Sequence, residues 1–375
     1  MFLALRELWF ARYRFALMGG VVALIAVLMV LLSGLSVGLV NDGVSGLQRL
    51  PVDAFAFDEG TKEDSAFSRS IVDETQVAAW AERGDVAEAA PFGNLLVNAR
   101  SSRDVPIDLA LFGVEPGSFL APDVTEGTGL VAPDALVVSQ TAIDAGLRIG
   151  DTVTIDRIGT TLRVVGTTGD QRTYGHVDVG YLDLAAWQRL HAGAGPGDPV
   201  RPEAFEEATA VALRAAPGTS IDLAAGDAAA GTTALTLDES FGASPGYTAE
   251  TSTLMMIQAF LYAISALVVG AFFTVWTIQR RHELAVLRAM GASTVYLMRD
   301  GLAQSAVVLL LATAVGVLIG VVGGGLIGGT VPFAIDAGSV GLAAFALVVL
   351  GLLGSGAAIV RIARVNPIDA LGGNR

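Results

Sequence analysis

Few side chains in this 375-residue sequence can do chemistry, and their spacing limits what they can do. A nucleotide-hydrolysing P-loop needs Gly-x-x-x-x-Gly-Lys-Ser/Thr, because its lysine must reach the β- and γ-phosphates. The single lysine, Lys62, sits in Glu59-Gly-Thr-Lys-Glu-Asp64, which lacks that frame. ATP hydrolysis on a P-loop is therefore excluded. Neither His-Glu-x-x-His nor Gly-x-Ser-x-Gly occurs, and without cysteine there are no disulfides and no thiolate metal sites. In Tyr174-Gly-His-Val-Asp178, His176 and Asp178 would share one face of a strand. Two ligands are too few for zinc, and the pair reads as a solvated strand face. The chain reads as non-catalytic, with no cofactor or metal of its own.

These residues are embedded in a chain that is 53% hydrophobic and only 16% charged, with a mean hydropathy of +0.59. Soluble proteins carry about 25% charged residues. Four stretches lack any charged residue: 15–41, 251–279, 301–335 and 337–360. Each is long enough to cross a ~30 Å hydrocarbon core, which takes ~20 helical residues. The expected fold is membrane α-helical, with transmembrane helices at 15–41, 251–279, 301–329 and 337–360 and a mixed α/β extracytoplasmic domain at 42–250. The first apolar run is too long for a cleaved signal core and reads as a retained anchor.

Charge sets the expected orientation. Residues 42–250 carry thirteen basic and thirty-two acidic side chains, a net of −19, whereas the rest carries a net of +5. The ten arginines outside 42–250 cluster at the membrane edges in 1–14, 280–300 and 361–375. By the positive-inside rule those segments are cytoplasmic, so both termini lie inside the cell membrane and the acidic domain outside. Such acidity also argues against nucleic acid as a partner. Residues 1–14, with Leu5, Leu8, Trp9 and Arg12 at helical spacing, read as an interfacial helix. The short segment 330–336 joins the last two spans outside. Gly34-Leu-Ser-Val-Gly38, Gly320 to Gly329 and Gly351, Gly354 and Gly356 supply small residues for close approach.

Within the outer domain, strands are expected at 135–138, 152–156, 161–165 and 176–182. Helices are expected after Ser139 and over 184–191. Residues 192–202 read as a loop, 224–231 as weakly specified, and 240–247 as a linker to the second span. On the other side of the membrane, Arg280-Arg-His-Glu-Leu-Ala-Val-Leu-Arg-Ala-Met-Gly-Ala-Ser293 continues a helix that Gly291 would stop in a left-handed cap. Ser293 would start a second, short helix.

That segment resembles the cytoplasmic signature of MacB/FtsX-type permeases, the four-span subunits of type VII ABC transporters. Glu283, Arg288, Ala289, Gly291, Ala292 and Ser293 carry the match. Ala363-Arg-Val-Asn-Pro-Ile-Asp-Ala-Leu371 resembles the family's terminal Pro-x-x-Ala-Leu. Val138-Ser-Gln, Gly146-Leu-Arg-Ile-Gly-Asp151 and Val164-Val-Gly166 are similar to its extracytoplasmic core. The resemblance implies a homodimer in membrane lipid, working with a separate cytosolic ATPase that binds ATP and Mg and docks on 292–298. It implies mechanotransmission rather than a polar channel. No acid or base lies inside a span, where ion-coupled transporters usually need one.

The family includes heme-efflux permeases, antimicrobial-peptide and macrolide exporters, and FtsX-like regulators of cell-wall hydrolases. Heme is the expected substrate. Met29 lies about 22 Å beyond Arg14 and Met255 and Met256 about 36 Å beyond Arg280 at ~1.5 Å per residue, all in the outer half of the bilayer. Thioether and tyrosinate both ligate heme iron, which adds Tyr247, and Glu250 could offer an oxygen. Leu32, Ser33, Ser36 and Phe260 are expected to line the pocket.

Overall fold

The computed structural model describes residues 12–279, 286, 290–327 and 331–363. The interfacial helix, except for its last residues, and the terminal Pro-x-x-Ala-Leu lie outside them. The chain divides into two compact units: Val40–Glu250, here the outer domain, and residues 1–39 with 251–375, the helical unit.

Among the described residues, four helices are long and apolar enough to cross a membrane: Arg12–Gln48, Tyr247–Gln279, Thr294–Ile327 and Ala337–Ala363. All four outrun their charge-free stretches, the fourth passing Arg361 to reach Ala363. The first passes Asp42 and ends at Gln48, because Val44 and Leu47 are needed in the outer domain's core. The second starts at Tyr247, and the third at Thr294. Ser293 indeed caps that third helix, accepting from the Tyr296 backbone N–H at 3.2 Å, but the helix is not short: it is the membrane helix itself. Asp336 caps the fourth, taking the Ser339 N–H at 2.6 Å, and hydrogen bonds from the Ser339 hydroxyl and then that N–H hold its carboxyl below the usual range.

Glycines set the helix contacts within the helical unit. A Cβ on Gly316 would overlap the Ala23 carbonyl, and one on Gly354 the Ala266 carbonyl. The first helix thus packs on the third and the second on the fourth at backbone contact, as small-residue interfaces allow. Ser305 and Ser355 tie the third to the fourth, with Oγ atoms 3.0 Å apart.

The outer domain is one eleven-stranded mixed sheet. Its strands are β1 (Ala54–Asp58), β2 (Val86–Ser101), β3 (Pro106–Val114), β4 (Glu126–Gly127), β5 (Ala135–Val138), β6 (Thr152–Ile155), β7 (Thr161–Thr167), β8 (Thr173–Tyr174), β9 (Val177–Asp183), β10 (Ala210–Ala215) and β11 (Thr232–Thr236). The order is β11-β1-β10-β2-β3-β9-β5-β7-β4, with β6 on β2 and β7, and β8 on β9. Strand β2 is the spine: its first half pairs β10 and its second half β3, both antiparallel. Phe55, Phe57, Phe67, Phe92, Phe112, Tyr174 and Tyr181 form a largely edge-to-face aromatic core.

Two segments are more ordered than their composition suggests. Residues 224–231 form the helix Leu223–Ala230, capped by Asp222 and closed by a left-handed Gly231. Residues 240–247 are no plain linker, because Phe241 and Ala243 are buried in the main core.

Gly93 and Gly113 face each other in the β2–β3 register, and the Trp187 indole lies on both. A Cβ at either would overlap the ring. Gly113→Val should therefore displace the indole at a cost of about 1–3 kcal/mol. A red-shifted tryptophan emission with a lower melting temperature is the expected reading, and an unchanged melt would refute this packing.

Candidate functional site

The helical unit holds a cavity of about 200 Å³. Met29, Ser33, Ser36 and Val37 of the first long helix line it, with Gln258 and Tyr262 of the second and Ser339, Leu342 and Ala343 of the fourth. Helical periodicity brings these together. Positions 29, 33 and 36 recur every three or four residues, as do 258 and 262, and 339, 342 and 343. Met29 is 2% exposed and packs with Ile25, Ala26 and Leu347, while Leu261 and Tyr262 adjoin the same cluster. The lining is neutral throughout, with hydroxyls, one carboxamide and one thioether on an apolar wall.

Of the residues expected at a pocket, Met29, Ser33 and Ser36 are brought together here. Leu32 is half-buried and not in the lining. Met255, Met256 and Phe260 point outward, at 69%, 55% and 63% exposure. Tyr247 and Glu250 belong to the outer domain. The Tyr247 ring meets Phe241 at 6.1 Å. Gln258, Tyr262 and Ser339 were not anticipated. Gln258 and Tyr262, polar residues four apart in an apolar span, were the available signal.

The glycines of Gly34-Leu-Ser-Val-Gly38 receive a loop rather than another helix. The Phe333 ring fills the space a Cβ would need at Gly34 and at Gly324, and Pro332 does the same at Gly38. The Ala334 N–H donates to the Gly34 carbonyl at 3.0 Å. The loop before the fourth helix is thus strapped across the first helix, one residue from Ser33 and Val37.

Among the expected coupling residues, Gly291 has φ +97° and ends the preceding turn as a left-handed residue. Ala292 and Ser293 follow it into the capped third helix. Glu283, Arg288 and Ala289 lie outside the described residues.

The reading of His176 and Asp178 as a solvated strand face is overturned. His176 is in the β8–β9 turn, with ring nitrogens on Asp42 and Glu250. Asp178 turns away to accept from the Ser139 and Thr141 hydroxyls, and burial raises its pKa despite those bonds.

Comparison with known proteins bears on the whole chain. The MacB-like periplasmic core domain matches residues 15–230, and the FtsX-like permease C-terminal domain matches 255–367. The chain belongs to the MacB/FtsX-like family of type VII ABC permeases. A Staphylococcus epidermidis protein bearing the name of a hemin transport system permease, HrtB, is 23% identical across 100% of this chain and 99% of its own. Its Staphylococcus haemolyticus counterpart is 24% identical over 99% of each. An uncharacterized ABC transporter permease of Mycobacterium tuberculosis is 26% identical over 100% and 99%. The periplasmic region of MacB from Actinobacillus actinomycetemcomitans aligns with 51% of this chain and 92% of its own at 13% identity and a TM-score of 0.36. Membership in the permease family implies a cytosolic ATPase partner.

If Gly34 is what seats the strap, Gly34→Leu should expel Phe333. A cysteine placed at Ala334 in this cysteine-free chain would then react with maleimide several-fold faster than in the Gly34 parent. An equal rate would refute the strap.

Proposed function

We propose that this chain is the permease subunit of an ATP-driven exporter that takes heme, or a similar amphipathic compound, from the outer leaflet and extrudes it by mechanotransmission. The observation behind this reading is the cavity wall, where the buried Met29 thioether accompanies the Tyr262 phenol and several neutral hydroxyls. Thioether and phenolate are both heme-iron ligands. The full-length likeness to relatives named for hemin transport supports the same substrate.

A cavity of about 200 Å³ falls below the ~300–1,000 Å³ usual for small-molecule pockets. One chain would hold an edge of the porphyrin, and a second copy would complete the site across a two-fold axis. Met255, Met256 and Phe260 would meet that copy or lipid, and Leu32 would flank the wall. Tyr247 and Glu250 belong to the outer domain and are no part of this cavity.

On the cytoplasmic side, the ATPase carries ATP and Mg and docks at the turn Gly291-Ala-Ser293, with Glu283, Arg288 and Ala289 completing the contact. Both termini share that side in this reading, which the arginines at the membrane edges support.

Hemin titrated into the complex in detergent should give a saturable Soret shift that Met29→Ala weakens. Absence of a saturable shift in the wild type would remove heme and favour a peptide or macrolide substrate. Gly291→Val places a β-branched residue at positive φ, where it is strained. It should abolish stimulation of the reconstituted ATPase while leaving hemin binding intact; wild-type stimulation would remove the coupling role.

A further inference from the structure

The β8–β9 hairpin turns on Gly175 and His176, both at positive φ, +59° and +65°. Two such residues define a type I′ turn, usually filled by Asn-Gly. A histidine held left-handed is uncommon, and local strain of this kind points to a use for the side chain. The turn is fastened to the end of the first long helix. The Gly175 N–H donates to the Gly43 carbonyl at 2.8 Å, and Thr173 Oγ1 donates to the Asn41 carbonyl at 3.1 Å. Ser45 Oγ accepts the Thr173 N–H at 3.0 Å.

From this anchored turn the imidazole reaches two carboxylates on two different helices. Nδ1 lies 2.9 Å from Asp42 Oδ2 on the first long helix, and Nε2 lies 3.2 Å from Glu250 Oε2 in the first turn of the second. Ionised carboxylates only accept, and a neutral imidazole has one N–H to give. Both bonds can form together only when the ring carries two protons.

We infer that His176 is a proton-operated clamp: protonated, it binds the outer end of the second long helix, through Glu250, to the hairpin already fixed on the first; deprotonated, it lets Glu250 go. Asp42 faces the ring from the first helix and Glu250 from the second. On its own strand, Asp178 is turned to Ser139 and Thr141, although the Asp42 charge reaches it. Burial lowers the imidazole pKa, but the Asp42 hydrogen bond and the charges of Glu250 and Asp42 outweigh it and raise the pKa above its ordinary value. A raised folded-state value means the clamp is fully formed below the ordinary histidine pKa and is lost as pH rises through the elevated one. The two carboxylates, no longer bridged by a cation, then repel each other. The clamp depends on neither the heme reading nor the ATPase.

The test uses the full chain in lipid nanodiscs with histidine isotopically labelled. There are only three histidines, so loss of one resonance set in His176→Gln assigns the clamp. Its midpoint should lie above the ordinary value and fall in both Glu250→Gln and Asp42→Asn. An ordinary or lowered midpoint in the wild type, or one that neither substitution moves, would overturn the proposal. In parallel, hydrogen exchange of amides 247–250, corrected for the intrinsic rate, should show protection falling about tenfold from about pH 5.5 to about pH 8.5, as for loss of one charge-assisted hydrogen bond. In His176→Gln protection should stay low and flat. A Gln variant that keeps the wild-type pH dependence would overturn the clamp, even if its transport were impaired.

Discussion

Lipid tails are as apolar as leucine, so apolar helices in a bilayer gain nothing by hiding from their solvent, and their association rests on how closely backbones can approach. The helical unit is built on that constraint. Gly316 lets the third helix touch the backbone of the first, and Gly270 and Gly354 do the same for the second and fourth. Larger side chains at these points would spread the helices and change the volume they enclose. The cavity between these helices is lined by larger side chains, among them Met29, Tyr262 and Leu342. Gly38 follows the same logic with loop backbone at Pro332, and Gly34 makes room for the Phe333 ring.

The outer domain obeys ordinary hydrophobic burial, and its acidity is largely structural. Asp73, Asp183 and Asp222 each cap a helix, and Asp53 and Asp227 accept backbone N–H groups of neighbouring strands. Others sit in ion pairs, such as Asp151 with Arg103 and Asp170 with Arg172 and Arg49. Much of the negative charge thus maintains the fold, which weakens any inference from net charge to a cationic partner. Asp42 and Glu250 differ: each sits in a long helix and meets the one imidazole.

Periodicity and punctuation made several elements legible. The strand at 135–138, the helix after Ser139 and the helix at 184–191 appear as expected because a capping side chain or a regular apolar spacing marks each locally. The length of the first helix was not legible, since Asp42 resembles a membrane boundary and only the core decides that Val44 and Leu47 stay helical. The linker at 240–247 failed similarly: Phe241 owes its burial to tertiary partners. At the cavity, Met29, Ser33 and Ser36 could be grouped by helical spacing. Gln258 and Tyr262 lay on a different helix, and which faces meet depends on glycine contacts that no local pattern reveals. His176 was misread because Gly-His occupies a turn normally written Asn-Gly, so the strand seemed to begin one residue early.

The distribution of charge constrains how work can be done on a substrate. The four apolar stretches contain no Asp, Glu, Lys or Arg, and the cavity lining is neutral. A gradient-driven transporter needs a group near the midplane that binds and releases an ion, and such a group is ionisable in nearly all cases. A neutral cavity can hold an amphipathic molecule, but it cannot couple that binding to protonation within the spans. In the proposed reading the energy enters mechanically from outside the bilayer, in keeping with a family that includes ABC transporter permeases. Long unbroken helices suit this transfer, since each of their internal backbone bonds is satisfied and bending one in hydrocarbon would expose polar groups at several kcal/mol apiece, roughly.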